Sequence, residues 1–208
     1  MELSGNHLKM QAEEAAEILK SGGLVAYPTE SFYGLAADAD NETAILHLFR
    51  VKKREAGEPV LLLIPSVEYL KRYAAYVPET AKRLMDAFWP GGLTLVLEAR
   101  KEVSVLLTAG TGKIGIRLSS HPVATALAQA TGSAITGTSA NISGKPPCNT
   151  SHGVALALGK GVDRILDGGK TEGQKPSTVL DVTTRPHAVL REGMISRRML
   201  QPYCELVL

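Results

Sequence analysis

Three stretches of the chain carry side chains whose types and spacing suit the handling of a polyanion beside a small polar molecule. Arg50, Lys52, Lys53 and Arg54 put four cations into five residues, ahead of Gly57. At a helix C-terminus such charges simply complement the dipole. If the helix ends near Val51, however, Lys52 and Arg54 lie two apart on an extended segment and point the same way. A lysine point charge beside an arginine fork suits a polyphosphate. The second stretch is Thr138-Ser139-Ala140-Asn141-Ile142-Ser143-Gly144. Extended, it sets Ser139, Asn141 and Ser143 on one face, offering hydroxyls and an amide to phosphate or ribose oxygens. The same residues also fit an Asx-type turn with Gly144 at positive φ. The third is Tyr27-Pro28-Thr29-Glu30-Ser31-Phe32-Tyr33-Gly34-Leu35, directly after a buried strand, and ligands of α/β folds sit beyond strand ends.

Other patterns fail on inspection. Gly110-x-Gly112-x-x-Gly115 matches a dinucleotide fingerprint, which needs a strand before it and a helix after it, yet the residues that follow alternate like a strand. It is not a Walker phosphate loop either, because Leu107 and Ile114 stand where a glycine and a hydroxyl are required. His7, His47, His121, His152 and His187 have no metal-ligand spacing, so no metal site is expected. Cys148 lies in a polar loop with no neighbouring base and reads as inert.

The elements that must position these groups alternate between helix and strand. Periodicity predicts helices over 10–20, over a segment capped by Asn41 with Ile45, Leu48 and Phe49 on its apolar face, and over 78–88, 122–130 and 154–158. It predicts strands over 24–27, 60–64, 93–97, 113–118, 134–137, 178–182 and 188–190. The last two lie too close for a helical crossover and are expected to be antiparallel. The sum is an α/β fold around an open, mixed parallel and antiparallel sheet with helices on its faces.

Composition sets outer bounds. The chain has 208 residues with a formal charge of +2, which excludes a strongly basic nucleic-acid coat and an acidic disordered tail. One domain over 1–208, with residues 194–208 as an extension, accommodates every motif. Two cysteines make no disulfide framework, and no apolar run approaches the ~20 residues of a membrane span. With no signal-like start, a cytoplasmic protein without membrane contact is expected.

The three stretches, taken with Trp89-Pro90-Gly91-Gly92-Leu93-Thr94, Ile114-Gly115-Ile116-Arg117, Pro176-Ser177-Thr178 and Leu190-Arg191-Glu192-Gly193, resemble the YrdC/Sua5 family of threonylcarbamoyl-AMP synthases, in its short form. The ordered set runs from Leu24 to Gly193. The resemblance implies a twisted α/β domain with a concave, positively charged active-site face. It implies a nucleotidyltransferase reaction: L-threonine, bicarbonate and ATP become threonylcarbamoyl-AMP and pyrophosphate. A downstream threonylcarbamoyl transferase then modifies adenosine 37 of tRNA, giving t6A.

It also implies roles. Lys52 and Arg54 would hold the phosphates and steady the leaving pyrophosphate. Ser139 would face threonine and Asn141 the nucleotide. Arg117 would fork onto the threonine carboxylate, with Ser31 and Ser177 close by. Lys113, Asn149 and Arg191 match nucleotide-contacting positions. Mg2+ is expected to travel with ATP, since no cluster of carboxylates offers to hold it. Relatives usually continue Lys-Gly-Arg-Pro and carry a histidine in the following strand. Here Lys53 and Glu55 replace the Gly and Pro, and Leu63 occupies the histidine place. Leucine cannot hydrogen-bond to threonine or bicarbonate, which leaves two alternatives: a YciO-like or other adenylating paralogue, or a non-catalytic RNA-binding module.

Overall fold

The computed structural model describes residues 5–55 and 57–207. Its elements run in the expected alternation. Helix α1 (Gly5–Lys20) leads to strands β1 (Val25–Tyr27) and β2 (Gly34–Ala36), helix α2 (Glu42–Lys52) and strand β3 (Leu62–Leu63). Helices α3 (Leu70–Tyr73) and α4 (Glu79–Phe88) precede β4 (Leu93–Glu98), α5 (Val105–Thr108), β5 (Lys113–Arg117) and α6 (Pro122–Thr131). Then come β6 (Ile135–Thr136), β7 (Thr138–Ser139), α7 (Ser151–Leu158), β8 (Arg164–Ile165), β9 (Thr178–Asp181), β10 (Ala188–Arg191) and α8 (Arg197–Leu200).

The strands form two mixed sheets. The smaller has the order β7-β2-β1-β8 and the larger β10-β9-β4-β5-β3-β6. In the larger sheet β4 runs parallel to β9 and β3 parallel to β5. The β9–β10 pair is antiparallel, as its short connection requires. A bridge from Asp38 to Ile135 links the sheets. Gly137 alone separates β6 from β7, so the chain passes from one sheet to the other within one residue. A Cβ at Gly137 would collide with Cδ1 of Leu61, so only glycine leaves room there.

The apolar periodicity finds its partners. Ile45, Leu48 and Phe49 of α2 are buried in the main core with Leu62, Leu84, Leu95, Ile116 and Leu180. A second core joins Ala15 and Leu19 of α1 to Leu127 of α6, Tyr27, Leu63 and Ile135. Asn41 caps α2 as expected, its side-chain oxygen accepting from the Ala44 amide at 3.1 Å. Helix α1 begins five residues before the periodicity does, at Gly5. Among the described residues no helix is long and apolar enough to cross a membrane.

Candidate active site

A cavity of about 490 Å³ opens where the two sheets meet. Tyr27, Gly34 and Ser139 wall it from the smaller sheet, and Leu61, Arg117 and Arg191 from the side of the larger. Of the residues singled out from the sequence, Ser31, Arg54, Arg117, Ser139, Asn141, Ser177 and Arg191 line it. They come from six separate segments of the chain. Arg54, Arg117, Lys145 and Arg191 are cationic, and no lining residue is a carboxylate. Such a wall attracts anions, and its low-dielectric surroundings strengthen the pull.

Lys52 stands behind this wall. It ends α2 and is 1% exposed. Its ammonium donates to the backbone carbonyl of Ser139, to that of Asn141 at 2.7 Å, and to Asn141 Oδ1 at 3.3 Å. Three donors thus meet three oxygens. Burial, aided by the nearby Arg54 charge, pushes the Lys52 pKa down to about 8. Asn141 Oδ1 also accepts from the Ser139 hydroxyl at 2.5 Å, while Asn141 Nδ2 donates to the carbonyls of Ile142 and Lys145. The Ser143 amide returns to the Lys52 carbonyl at 2.8 Å. The helix end and the Ser139–Ser143 turn are therefore laced together, with Gly144 at φ +76° closing the turn as the sequence suggested.

The extended Lys52–Arg54 stretch expected from the sequence gives way to a different geometry. The helix continues through Lys52, and Lys53 takes a left-handed conformation with φ 50° and ψ 42°. That kink, rather than strand alternation, separates the two side chains: Lys52 turns inward, and Arg54 reaches the cavity. Arg54 donates to the Pro59 carbonyl at 2.7 Å and lies 3.4 Å from Glu58. Its Nε has no hydrogen-bond partner among the described residues.

Arg117 closes β5 with its side chain only 5% exposed, 3.5 Å from the Glu30 carboxylate. On the same side of the cavity Arg191 donates to the Ser177 carbonyl and hydroxyl, both at 3.1 Å. The Ser177 hydroxyl also shares a hydrogen bond with Thr94. Burial lowers the Arg191 pKa, and the Arg117 charge adds to the effect. Ser31 sits in a hydroxyl turn: Thr29 Oγ1 accepts from the Ser31 amide at 3.1 Å and donates to the Phe32 carbonyl at 2.6 Å. The Ser31 carbonyl accepts from the Gly173 amide at 2.8 Å, pinning the loop before β9 against the site.

Besides Lys52, two expected residues lie off the lining. Lys113 is at the opposite end of β5 from Arg117, paired with Asp181 at 3.0 Å. Asn149 holds the same loop before β9 through its carbonyl, which accepts from the Thr171 amide at 2.9 Å. Leu63, which the resemblance set at a histidine place, is buried in the second core and abuts Gly137. Sequence reasoning assigned nothing to Glu30, Thr94 or Lys145. Glu30 and Thr94 fall inside recognised motifs, and Lys145 adjoins one, but nothing in their spacing reveals a role. Among the described residues no three His, Cys, Asp or Glu side chains gather as a metal site.

Comparison with known proteins bears on this arrangement. The sequence profile of the Sua5/YciO/YrdC family, whose description reads "Telomere recombination", matches residues 17–193. The chain is 40% identical over 179 residues to the threonylcarbamoyl-AMP synthase of Pyrococcus abyssi, covering 86% of this chain and 53% of that protein. The structure of P. abyssi Sua5 complexed with L-threonine superposes with a TM-score of 0.92 at 36% identity, covering 96% of this chain and 59% of that one. E. coli YciO superposes with a TM-score of 0.81 at 34% identity, covering 89% and 90%. The chain thus spans little more than half the length of its P. abyssi relative. From the profile match across 17–193 and the shared fold, the chain belongs to the Sua5/YciO/YrdC family.

Proposed function

We propose that the protein joins L-threonine, bicarbonate and ATP into threonylcarbamoyl-AMP, releasing pyrophosphate. The observation that carries the reading is the convergence of Arg54, Arg117 and Arg191 with the Ser139–Asn141 turn on one cavity free of lining carboxylates. Relatives named for this activity add weight, as does the threonine complex of P. abyssi Sua5.

The chemical problem is electrostatic. Threonine and bicarbonate combine to a carbamate with loss of water, and a carbamate oxygen then attacks the α-phosphorus of ATP. Both partners are anions, so the site must offset charge and align the attack; little covalent work falls to the protein. In this reading Arg54 meets the phosphates and takes up charge on the departing pyrophosphate. Lys52 acts from behind, fixing the turn that presents Ser139 to threonine and Asn141 to the nucleotide. Arg117 forks onto the amino-acid carboxylate between Ser31 and Ser177, and Arg191 serves the nucleotide. Lys113 and Asn149 lie off the lining, so they act on the nucleotide only through the loops they hold. Where Mg2+ accompanies ATP it would offset phosphate charge; the described residues offer no carboxylate set to fix it. The product is a mixed anhydride, suited to a downstream transferase that acts on adenosine 37 of tRNA. A reaction on ATP that feeds tRNA modification suits the cytoplasm expected from the sequence.

The test is pyrophosphate release. Addition of threonine and bicarbonate to protein and ATP should raise it well above the ATP-only rate. No increase refutes the reading. Preference for another amino acid or carbamoyl donor would point to a different adenylating branch of the family. Salt-sensitive RNA binding without ATP binding would point to an RNA-binding module.

A further inference from the structure

We propose that Glu30 is a positioning residue that holds the Arg117 guanidinium in the cavity wall, one edge kept free, for the carboxylate of the amino-acid substrate. The inference rests on the function proposed above and assigns a role to a residue outside the cavity lining.

A buried guanidinium is costly unless its charge is met and its donors are directed. Arg117 meets one carboxylate, that of Glu30, whose side chain is 12% exposed. Glu30 Oε1 lies 3.5 Å from Arg117 Nη1, and Glu30 Oε2 accepts from the Ser119 hydroxyl at 2.6 Å. Ser119 is fixed in turn: its Oγ accepts from the His121 amide at 3.2 Å, and its carbonyl accepts from the Thr125 hydroxyl at 3.0 Å. A chain of contacts therefore runs from the first turn of α6 through Ser119 and Glu30 to Arg117. At its end, Arg117 Nε is buried with no hydrogen-bond partner among the described residues. Glu30 Oε1 likewise has no hydrogen-bond partner among the described residues, so the pair is an ion pair on the Nη1 side that leaves the Nε edge without a partner. A carboxylate binds an arginine best across two adjacent N–H donors, and that edge is what Glu30 leaves open.

Glu30 has a second effect. Arg117 and Arg191 face the same cavity, and the Arg117 charge disfavours that of Arg191. The Glu30 carboxylate offsets this repulsion and lets two guanidinium groups share a wall. Without it, Arg117 would be free to turn away from Arg191 towards solvent.

The experiment compares the intact chain with Glu30→Gln, which can still accept from Ser119 but carries no charge, and with Arg117→Lys. Two readouts are taken: the KM values for threonine and ATP in pyrophosphate release, and the 15N–1H signal of the Arg117 Nε group, identified by its loss in Arg117→Lys. The expected result for Glu30→Gln is a rise of about tenfold or more in the threonine KM, as for loss of one well-directed charged contact. The ATP KM should stay within about threefold, and the Nε signal should move towards that of a solvent-exposed arginine. Glu30→Asp, charged but shorter, should recover part of the threonine KM. An unchanged threonine KM, an equal rise in both KM values, or a fall in kcat alone would overturn the proposal. If the intact chain shows no threonine-dependent release, the proposed function fails; an unmoved Nε signal in Glu30→Gln then overturns the positioning role independently.

Discussion

Lys52 holds a charge that burial opposes, yet it gathers three oxygens of the Ser139–Asn141 turn around it. Its pKa of about 8 lies below the 10.5 of a free lysine, so activity and stability should respond to pH in opposite ways. Above about pH 8 the ammonium loses its proton, the turn loosens, and kcat/KM should fall with a single-proton slope. From about pH 8 to about 10.5 the unfolded chain binds more protons at this residue than the folded one, so its contribution to stability rises with pH. A pH profile of pyrophosphate release, set beside urea midpoints at the same pH values, checks both. Arg54→Ala should lower kcat/KM by about 10²–10³ while the midpoint barely moves, the range typical for removing one preorganised charged donor. Much of this site is legible in the sequence, but in two different ways. Lys52, Arg54, Ser139 and Asn141 announce themselves as clusters, whereas Ser31, Arg117, Ser177 and Arg191 become visible only through family resemblance. Glu30 escapes both because its meaning lies in contact with Arg117, a residue far away in the chain.

At the scale of elements, the end of α2 carries a conformational cost. Lys53 is non-glycine at φ 50°, where its Cβ crowds the backbone. A glycine at this place would be free of that crowding. Lys53→Gly should stabilise the chain by about 0.5–1 kcal/mol, less than the full left-handed penalty because glycine also loses more freedom on folding. In a chain of this size that corresponds to a Tm higher by about 1–4 °C, readable by calorimetry. Long elements were legible because period and cap agree: α2 with Asn41, α4, β4 and β5 all lie close to their predicted bounds. The strands β2, β7 and β8 and the helices α3, α5 and α8 span two to four residues each. Such pieces complete no period, and the strands among them exist only through pairing with distant segments. The division into two sheets was hidden for the same reason, since Gly137 reads as the last residue of a strand over 134–137, whereas it is the passage between β6 and β7.

For the whole molecule, the cavity lies between the two sheets, which also meet through the Asp38–Ile135 bridge, the passage at Gly137 and buried hydrogen bonds from Thr136 to the Leu35 carbonyl and from Tyr27 to the Thr136 carbonyl. A ligand touching Ser139 on one side and Arg117 or Arg191 on the other ties the sheets together. Hydrogen exchange should therefore slow in β7 and in β5 and β10 together when a non-hydrolysable ATP analogue and threonine are bound, and less with either alone. Protection confined to one sheet would show that the ligand does not bridge them.

Leu61 and Gly137 meet on the cavity floor, and there the chain has one hydrogen atom where every other residue type would have a carbon. A methyl group at residue 137 would drive the leucine upward into the hollow. The protein would then compete with its own ligand for the hollow, and affinity would fall by the fraction of molecules left open.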